Sequence, residues 1–183
     1  YLNKSLIVYM GGSILIGSFI GAYGSNILAE DTINIVYGVL ALTAAIMMFV
    51  PKKGIDDIPL DQVQFNKTVA AVSAFIVGVG AGIVGAAGAF LLVPIMLVLL
   101  KIPTRMTIAS SLAITFISSI GATVGKITTG QVDWGPAAIM VIASLIAAPL
   151  GAIAGKKMNT KILQVILAVL ILATAVKIWI DIL

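Results

Sequence analysis

The sequence of 183 residues contains no cysteine, no histidine and little charge. Without thiols or imidazoles the chain cannot form disulfides, Cys- or His-based metal sites, or nucleophile–base pairs that depend on those groups. Charged residues make up 10% of the chain, whereas soluble domains average about 25%. Because so few charges cannot cover the surface of a soluble domain, and 61% of the residues are hydrophobic, the composition predicts an integral membrane protein.

Six apolar segments predict an all-α polytopic fold. A bilayer core of about 30 Å needs ~20 helical residues, and most of the segments reach that length. They are Leu6–Leu28, Ile33–Val50, Val69–Leu100, Ile108–Val124, Trp134–Ala154 and Ile162–Ile180. A polar stretch, Pro51–Lys67, separates the second segment from the third.

The chain also shows an internal similarity at a shift of 130 residues. Small residues four apart let membrane helices pack closely. Under this shift Gly17, Gly21 and Ser25 fall on Ala147, Gly151 and Gly155. We therefore predict an internal, inverted repeat, in which residues 1–51 are the second half of a first transmembrane repeat, 52–67 a polar linker and 68–183 a complete second repeat. On this arithmetic we expect roughly 65 further residues of the first repeat to precede Tyr1.

The third apolar segment is too long for one straight span and is rich in glycine. It contains Gly78, Gly80, Gly82, Gly85 and Gly88, followed by Pro94. Broken backbone at membrane depth is tolerated where it is buried in protein or lines a cavity, and interrupted helices hold the substrate in many transporters. The alternative is an ordinary, closely packed span.

A dinucleotide-binding loop is also conceivable for this segment, because Gly80–Gly85 matches G-x-G-x-x-G. That motif needs an acidic residue about 20 positions later, and no acid lies between Thr68 and Asp133. We therefore predict no cofactor. The apolar segments contain no carboxylate pair either, which argues against an acid–base enzyme and against a carboxylate relay for cations or protons.

The basic residues distinguish two arrangements of the third segment. A single crossing would place six basic residues on one side and five on the other, which gives no orientation. A re-entrant hairpin that turns back near Gly85–Gly88 would place nine on one side, leaving only Lys126 and Lys177 opposite. We favour the hairpin, which puts Lys67 and Lys101 on the same, inner face.

The candidate substrate-binding residues are backbone, hydroxyl and basic groups: Gly85, Ala86, Ala87, Gly88, Ser110, Ser111 and Lys126. Free amides at the break could meet an anion, hydroxyls could bind an oxyanion, and an intramembrane lysine could attract one. Close packing, hydroxyl bonding within the helix, and a snorkelling lysine are the respective alternatives. Structural roles are predicted for Gly80, Gly82, Pro94, Gly121, Gly125, Gly151 and Gly155.

An ordered set of motifs resembles the TauE/SafE sulfite exporter family. The family's G-x-x-G-x-G-G-G…V-P stretch is resembled by Gly82–Gly88 with Val93–Pro94, and its P…A-x-T-S-L by Pro103 with Ala109–Leu112. Its G-x-V-D-W is resembled by Gly130–Trp134. Its G-A-x-x-G is resembled by the stretch that begins at Gly151–Ala152. The resemblance implies a four-helix unit repeated twice, with substrate between the halves. Ala86 and Ala87 replace glycines, Ser110 replaces the usual Thr, and Lys126 stands where such proteins often carry His.

These observations predict a multi-pass cell-membrane transporter of small anions, such as sulfite, sulfonates or related sulfur oxyanions, that works by alternating access. The alternatives are a passive anion channel and a membrane assembly subunit without a substrate. The expected partners are the anion and the lipid bilayer, with no nucleic acid. A coupling ion (proton or sodium) and a homo-oligomer are both compatible with the sequence.

Overall fold

A computed structural model describes residues 4–48, 65–85 and 88–182, and within these ranges the regular secondary structure is helical, with no strand. The helices are α1 (Lys4–Gly24), α2 (Glu30–Met48), α3 (Lys67–Val84), α4 (Ala89–Pro94), α5 (Thr104–Thr128), α6 (Trp134–Lys157) and α7 (Thr160–Ile182). A 3-10 turn (Ser25–Ile27) follows α1, and a π-helical turn (Ile95–Leu99) follows α4. Five of the helices (α1, α2, α3, α5 and α6) are long and apolar enough to cross a membrane, so the predicted all-α, polytopic fold is confirmed.

Three of the long helices, α1, α3 and α5, run in the same direction. In α3, Gly78 lies against Ile14 of α1, and Gly82 lies against Ser18, so the contacts advance together along both helices. The contacts between α1 and α5 advance in the same way, from the Gly11–Ile117 pair to the pair of Ala22 with Gly125. Because α3 and α5 are both parallel to α1, they begin at the same end of the bundle.

The chain must therefore return between the end of α3 and the start of α5. Gly88 lies beside Val77 and Ala81, which belong to the preceding helix, so the backbone has already reversed there. The return segment, Ala89–Leu99, consists of α4 and the π turn. It is only about 16 Å long at helical rise, roughly half of a bilayer core. The predicted reversal near Gly85–Gly88 is present, with Lys67 and Lys101 flanking it at one end of the bundle, and its depth in the membrane stays a prediction.

Glycine allows α1 and α3 to touch along their backbones. A Cβ atom on Gly17 would lie 2.5 Å from the carbonyl oxygen of Phe75, and one on Gly78 would lie 2.7 Å from that of Ile14. Gly21 and Gly82 approach the carbonyl oxygens of Val79 and Ser18 even more closely. Association of membrane helices depends on such close packing, since lipid offers no hydrophobic driving force between them.

The remaining helices surround this centre unevenly. α2 packs against α3, α4 and α7, whereas α6 has no extensive contact with another described helix. Gly151 and Gly155, the counterparts of the α1 ladder under the proposed repeat, have no atom within 4 Å of a Cβ. The repeat and its boundaries stay a prediction, and residues 52–64 of the predicted linker lie outside the described residues.

Candidate functional site

The break after α3 is fixed by two left-handed glycines. Gly85 has φ 81° and ψ 13°, and its N–H donates to the carbonyl of Ala81 at 2.8 Å. Gly88 has φ 70° and precedes α4. Glycine adopts this region without the steric cost that a Cβ imposes. The sequence thus ends the helix at Gly85, while Ala86 and Ala87 of the predicted site lie outside the described residues.

Lys126 lies at this break and gathers groups from three separate parts of the chain: the turn after α1, the end of α3 and the loop after α5. Its Nζ donates to Ser25 Oγ at 2.6 Å, to Gln131 Oε1 at 2.7 Å and to the carbonyl oxygen of Ile83 at 3.4 Å. A Cβ on Gly85 would lie 3.8 Å from Lys126 Cε. We call Ser25, Lys126 and Gln131, with the Ile83 carbonyl, the Lys126 cluster.

Further hydrogen bonds hold the cluster in place. Ser25 Oγ lies 2.8 Å from the carbonyl oxygen of Ala22 and 3.1 Å from Gln131 Oε1. Gln131 Nε2 donates to Thr129 Oγ1 at 2.6 Å and to the Ala22 carbonyl at 3.4 Å. The acceptors around the Lys126 ammonium are all neutral oxygens, so this cation has hydrogen bonds without a carboxylate partner in the described part of the chain.

A second polar feature lies deeper in the bundle. Ser110 is fully buried, and its Oγ has no hydrogen-bond partner. Met106 and Ile114, one turn away on either side, belong to the same apolar cluster as Leu92 and Met96 of the return segment. An unpartnered buried hydroxyl costs about 1–3 kcal/mol. Such a group in a membrane protein is a candidate contact for a polar substrate.

The predicted site residues therefore fall at two positions rather than one. Lys126 joins Gly85 at the break. Ser110 lies sixteen residues before Lys126 on the same helix, or about 24 Å away at helical rise. Ser111, its neighbour, donates to the carbonyl of Ile108 at 3.0 Å. One small anion cannot touch Lys126 and Ser110 at the same time.

The residues for which the sequence predicts structural roles fall into two groups, one packed against neighbouring helices and one surrounded by open space. Gly80 faces the side chain of Leu40, Gly82 the carbonyl of Ser18, Gly121 the carbonyl of Leu15, and Gly125 the Cβ of Ala22. Pro94 ends α4 immediately before the π turn. The contacts of these residues with neighbouring helices are those expected of packing positions, whereas Gly151 and Gly155 have open space around them.

Sequence reasoning missed Ser25 and Gln131 as partners of Lys126. Ser25 stood out only as a small residue in a ladder, and Gln131 only as part of a motif. Ser118, also fully buried with an unpartnered Oγ, was missed as well. Ser118 and Ser119 interrupt an apolar helix, which is the one sequence signal that could have drawn attention to them.

Comparison with known proteins identifies the family of this chain. The family model for the sulfite exporter TauE/SafE matches residues 1–178. The chain belongs to the TauE/SafE family. It is also 26% identical over 192 residues to the probable membrane transporter protein YunE of Bacillus subtilis (strain 168), across 94% of this chain and 70% of that protein. No solved structure matches it significantly.

Membership of the TauE/SafE family makes this chain a multi-pass transporter of the cell membrane. The five apolar helices agree with that assignment. The helix end at Gly85 and the Lys126 cluster lie together in the described bundle.

Proposed function

We propose that this chain transports small anions, of which sulfite, sulfonates and related sulfur oxyanions are the best candidates, by alternating access. The observation that carries this proposal is the chemistry of the bundle interior. The buried polar side chains of the described residues are all hydroxyls: Ser18, Ser25, Thr104, Thr107, Ser110, Ser111 and Ser118. Proton relays and divalent-cation sites normally need carboxylates, whereas hydroxyls together with an ammonium suit oxyanions.

Lys126 supplies the positive charge in this proposal. Its ammonium is held by neutral oxygens, so its full charge remains available to an anion. An arriving sulfite would replace a neutral acceptor such as Gln131 Oε1. The exchange favours the anion because the ammonium then faces a full negative charge instead of a carboxamide dipole.

Ser110 and Ser111 form a second contact in this proposal, reached at another stage of transport. An anion that has left Lys126 would accept a hydrogen bond from the unpartnered Ser110 hydroxyl beside the return segment. Movement of the short return segment against α5 would open one position while closing the other. The left-handed glycines Gly85 and Gly88 bound the break that permits this movement.

The test is flux of labelled sulfite into proteoliposomes that contain the purified full chain. Lys126→Met should reduce flux at least tenfold, because it keeps the length of the side chain and removes its charge. Lys177→Met is the matched control, since that exposed lysine lies outside the cluster, and its flux should equal the native value. Undiminished flux in Lys126→Met would overturn the proposed role of Lys126.

Two further measurements distinguish the alternatives. A carrier gives flux that saturates with sulfite concentration, whereas a passive channel gives flux that rises with concentration well beyond that range. An assembly subunit gives neither flux nor binding of sulfite or an alkylsulfonate to the purified protein.

Leucine at Gly85 or Gly88 should abolish flux while leaving membrane insertion intact, because both positions require a left-handed backbone.

A further inference from the structure

We propose that the Lys126 cluster is a monovalent-cation site in which the lysine ammonium takes the place of a bound ion. The proposal deepens the transport function proposed above, since it assigns the positive charge that accompanies the anion to the protein itself. A transporter with this arrangement needs no metal cation at the site.

The first support is the coordination of Lys126 Nζ. Its acceptors are a hydroxyl, a carboxamide oxygen and a main-chain carbonyl, on residues 25, 131 and 83. These are the neutral oxygens that also coordinate dehydrated monovalent cations. They come from three separate parts of the chain, so they converge on a point in space rather than on a local turn.

The second support is the position of that point in the bundle. α1, α3 and α5 are parallel and end at Gly24, Val84 and Thr128 respectively, so their C-terminal ends meet beside the cluster. Helix C-termini carry partial negative charge and unpaired carbonyls. In transporters with interrupted helices, such ends coordinate coupling cations.

The third support is the chemistry of the oxygen atoms that surround Lys126 Nζ, which form the shell of the site. No carboxylate is among the acceptors around Nζ, and the described residues contain no group of three His, Cys, Asp or Glu that could hold a metal. Ca²⁺ and Mg²⁺ sites usually include carboxylates. The shell is therefore suited to a single positive charge, such as an ammonium, Na⁺ or K⁺.

The experiment removes the ammonium and asks whether a free cation replaces it. The purified full chain, Lys126→Ala, Lys126→Ser and the control Lys177→Ala are unfolded thermally in choline, sodium, potassium and magnesium chloride at equal ionic strength. We expect the Tm of the native chain and of the control to be the same in all four salts. We expect the Tm of the Lys126 variants to be higher in Na⁺ or K⁺ than in choline, by about 3–6 °C when the cation is at tenfold its Kd.

A double variant locates the effect. Adding Gln131→Ala to Lys126→Ala removes one oxygen of the shell, so the gain in Na⁺ or K⁺ should fall by at least half. A Lys126 variant that is monodisperse and has the same Tm in every salt would overturn the proposal. So would failure of both Lys126 variants to fold in any salt, because excess cation should restore the missing charge.

The readout is independent of transport. If no sulfite flux is found but the Lys126 variants gain cation-dependent stability, the proposed substrate is wrong and the cation site stands. If native flux is found but has a strict requirement for Na⁺ or K⁺, the resident ammonium does not replace a coupling cation, and this inference fails while the proposed function survives.

Discussion

Alanine at Gly17 should loosen the contact between α1 and α3, which is the closest backbone packing in the described bundle. A Cβ at this position would lie 2.5 Å from the carbonyl oxygen of Phe75 and 3.1 Å from the amide nitrogen of Val79. Both are backbone atoms of α3, so no side-chain rotation can relieve the overlap. The two helices must separate locally by about 1 Å to restore ordinary contact distances.

The cost follows from that separation. A gap of 0.5–1 Å forfeits roughly a quarter to a half of the dispersion energy of the atoms that line it. Overpacking of this kind typically costs about 1–3 kcal/mol, and the better helix propensity of alanine returns at most ~1 kcal/mol. We expect a net loss of about 1–2 kcal/mol in the free energy of unfolding, which lowers the Tm by roughly 2–8 °C for a chain of this length.

Gly12 on the same helix provides a matched control. No atom lies within 4 Å of a Cβ at Gly12, so Gly12→Ala gains helix propensity without a clash. Both variants would be unfolded thermally in the same detergent, with unfolding followed by circular dichroism. The Tm of Gly12→Ala should equal or exceed the native value. Equal Tm values for Gly17→Ala and Gly12→Ala would refute the claim that α1 and α3 are held at backbone contact.

Three other predictions concern the return segment and its flanks. Single cysteines at Lys67 and Lys101 should react with an impermeant maleimide from the same side of the membrane, and a single cysteine at Thr128 should react from the other side. Labelling of the Lys67 and Lys101 positions from opposite sides would exclude the re-entrant hairpin. Asn66→Ala should cost about 1 kcal/mol, measured by thermal unfolding, because the Asn66 side chain accepts two amide hydrogen bonds at the start of α3, and an unchanged Tm would contradict that role. Gly88→Ala should lower both sulfite flux and Tm, because its Cβ would meet neighbouring side chains at 3.0–3.1 Å on a left-handed backbone, and native values of both would contradict the fit.

The return of the chain could be predicted from sequence because its causes are local or additive. Glycine ends a helix wherever a left-handed residue is needed, and this property belongs to Gly85 and Gly88 themselves. The membrane bias acts on the sum of basic residues in each loop, so the count alone favoured a hairpin over a single crossing. The apolar helices were equally predictable, since a bilayer selects for length and hydropathy.

The composition of the candidate site could not be predicted in the same way. Lys126 donates to Ser25, which is 101 residues away in the chain, and to the carbonyl of Ile83. These pairings depend on how α1, α3 and α5 lie against one another. No periodicity or motif encodes that register directly.

The sequence by itself determined that this is a membrane protein, where its helices run and where one of them breaks, and it predicts that most of its basic residues share one side. These properties depend on single residues or on sums over short segments. Only the tertiary structure decided that Lys126 belongs with Ser25 and Gln131, and that the break at Gly85 lies beside Lys126 and not beside Ser110. The reason is that both results depend on the parallel packing of three helices, which is set by glycines meeting the carbonyls of residues more than fifty positions away in the chain.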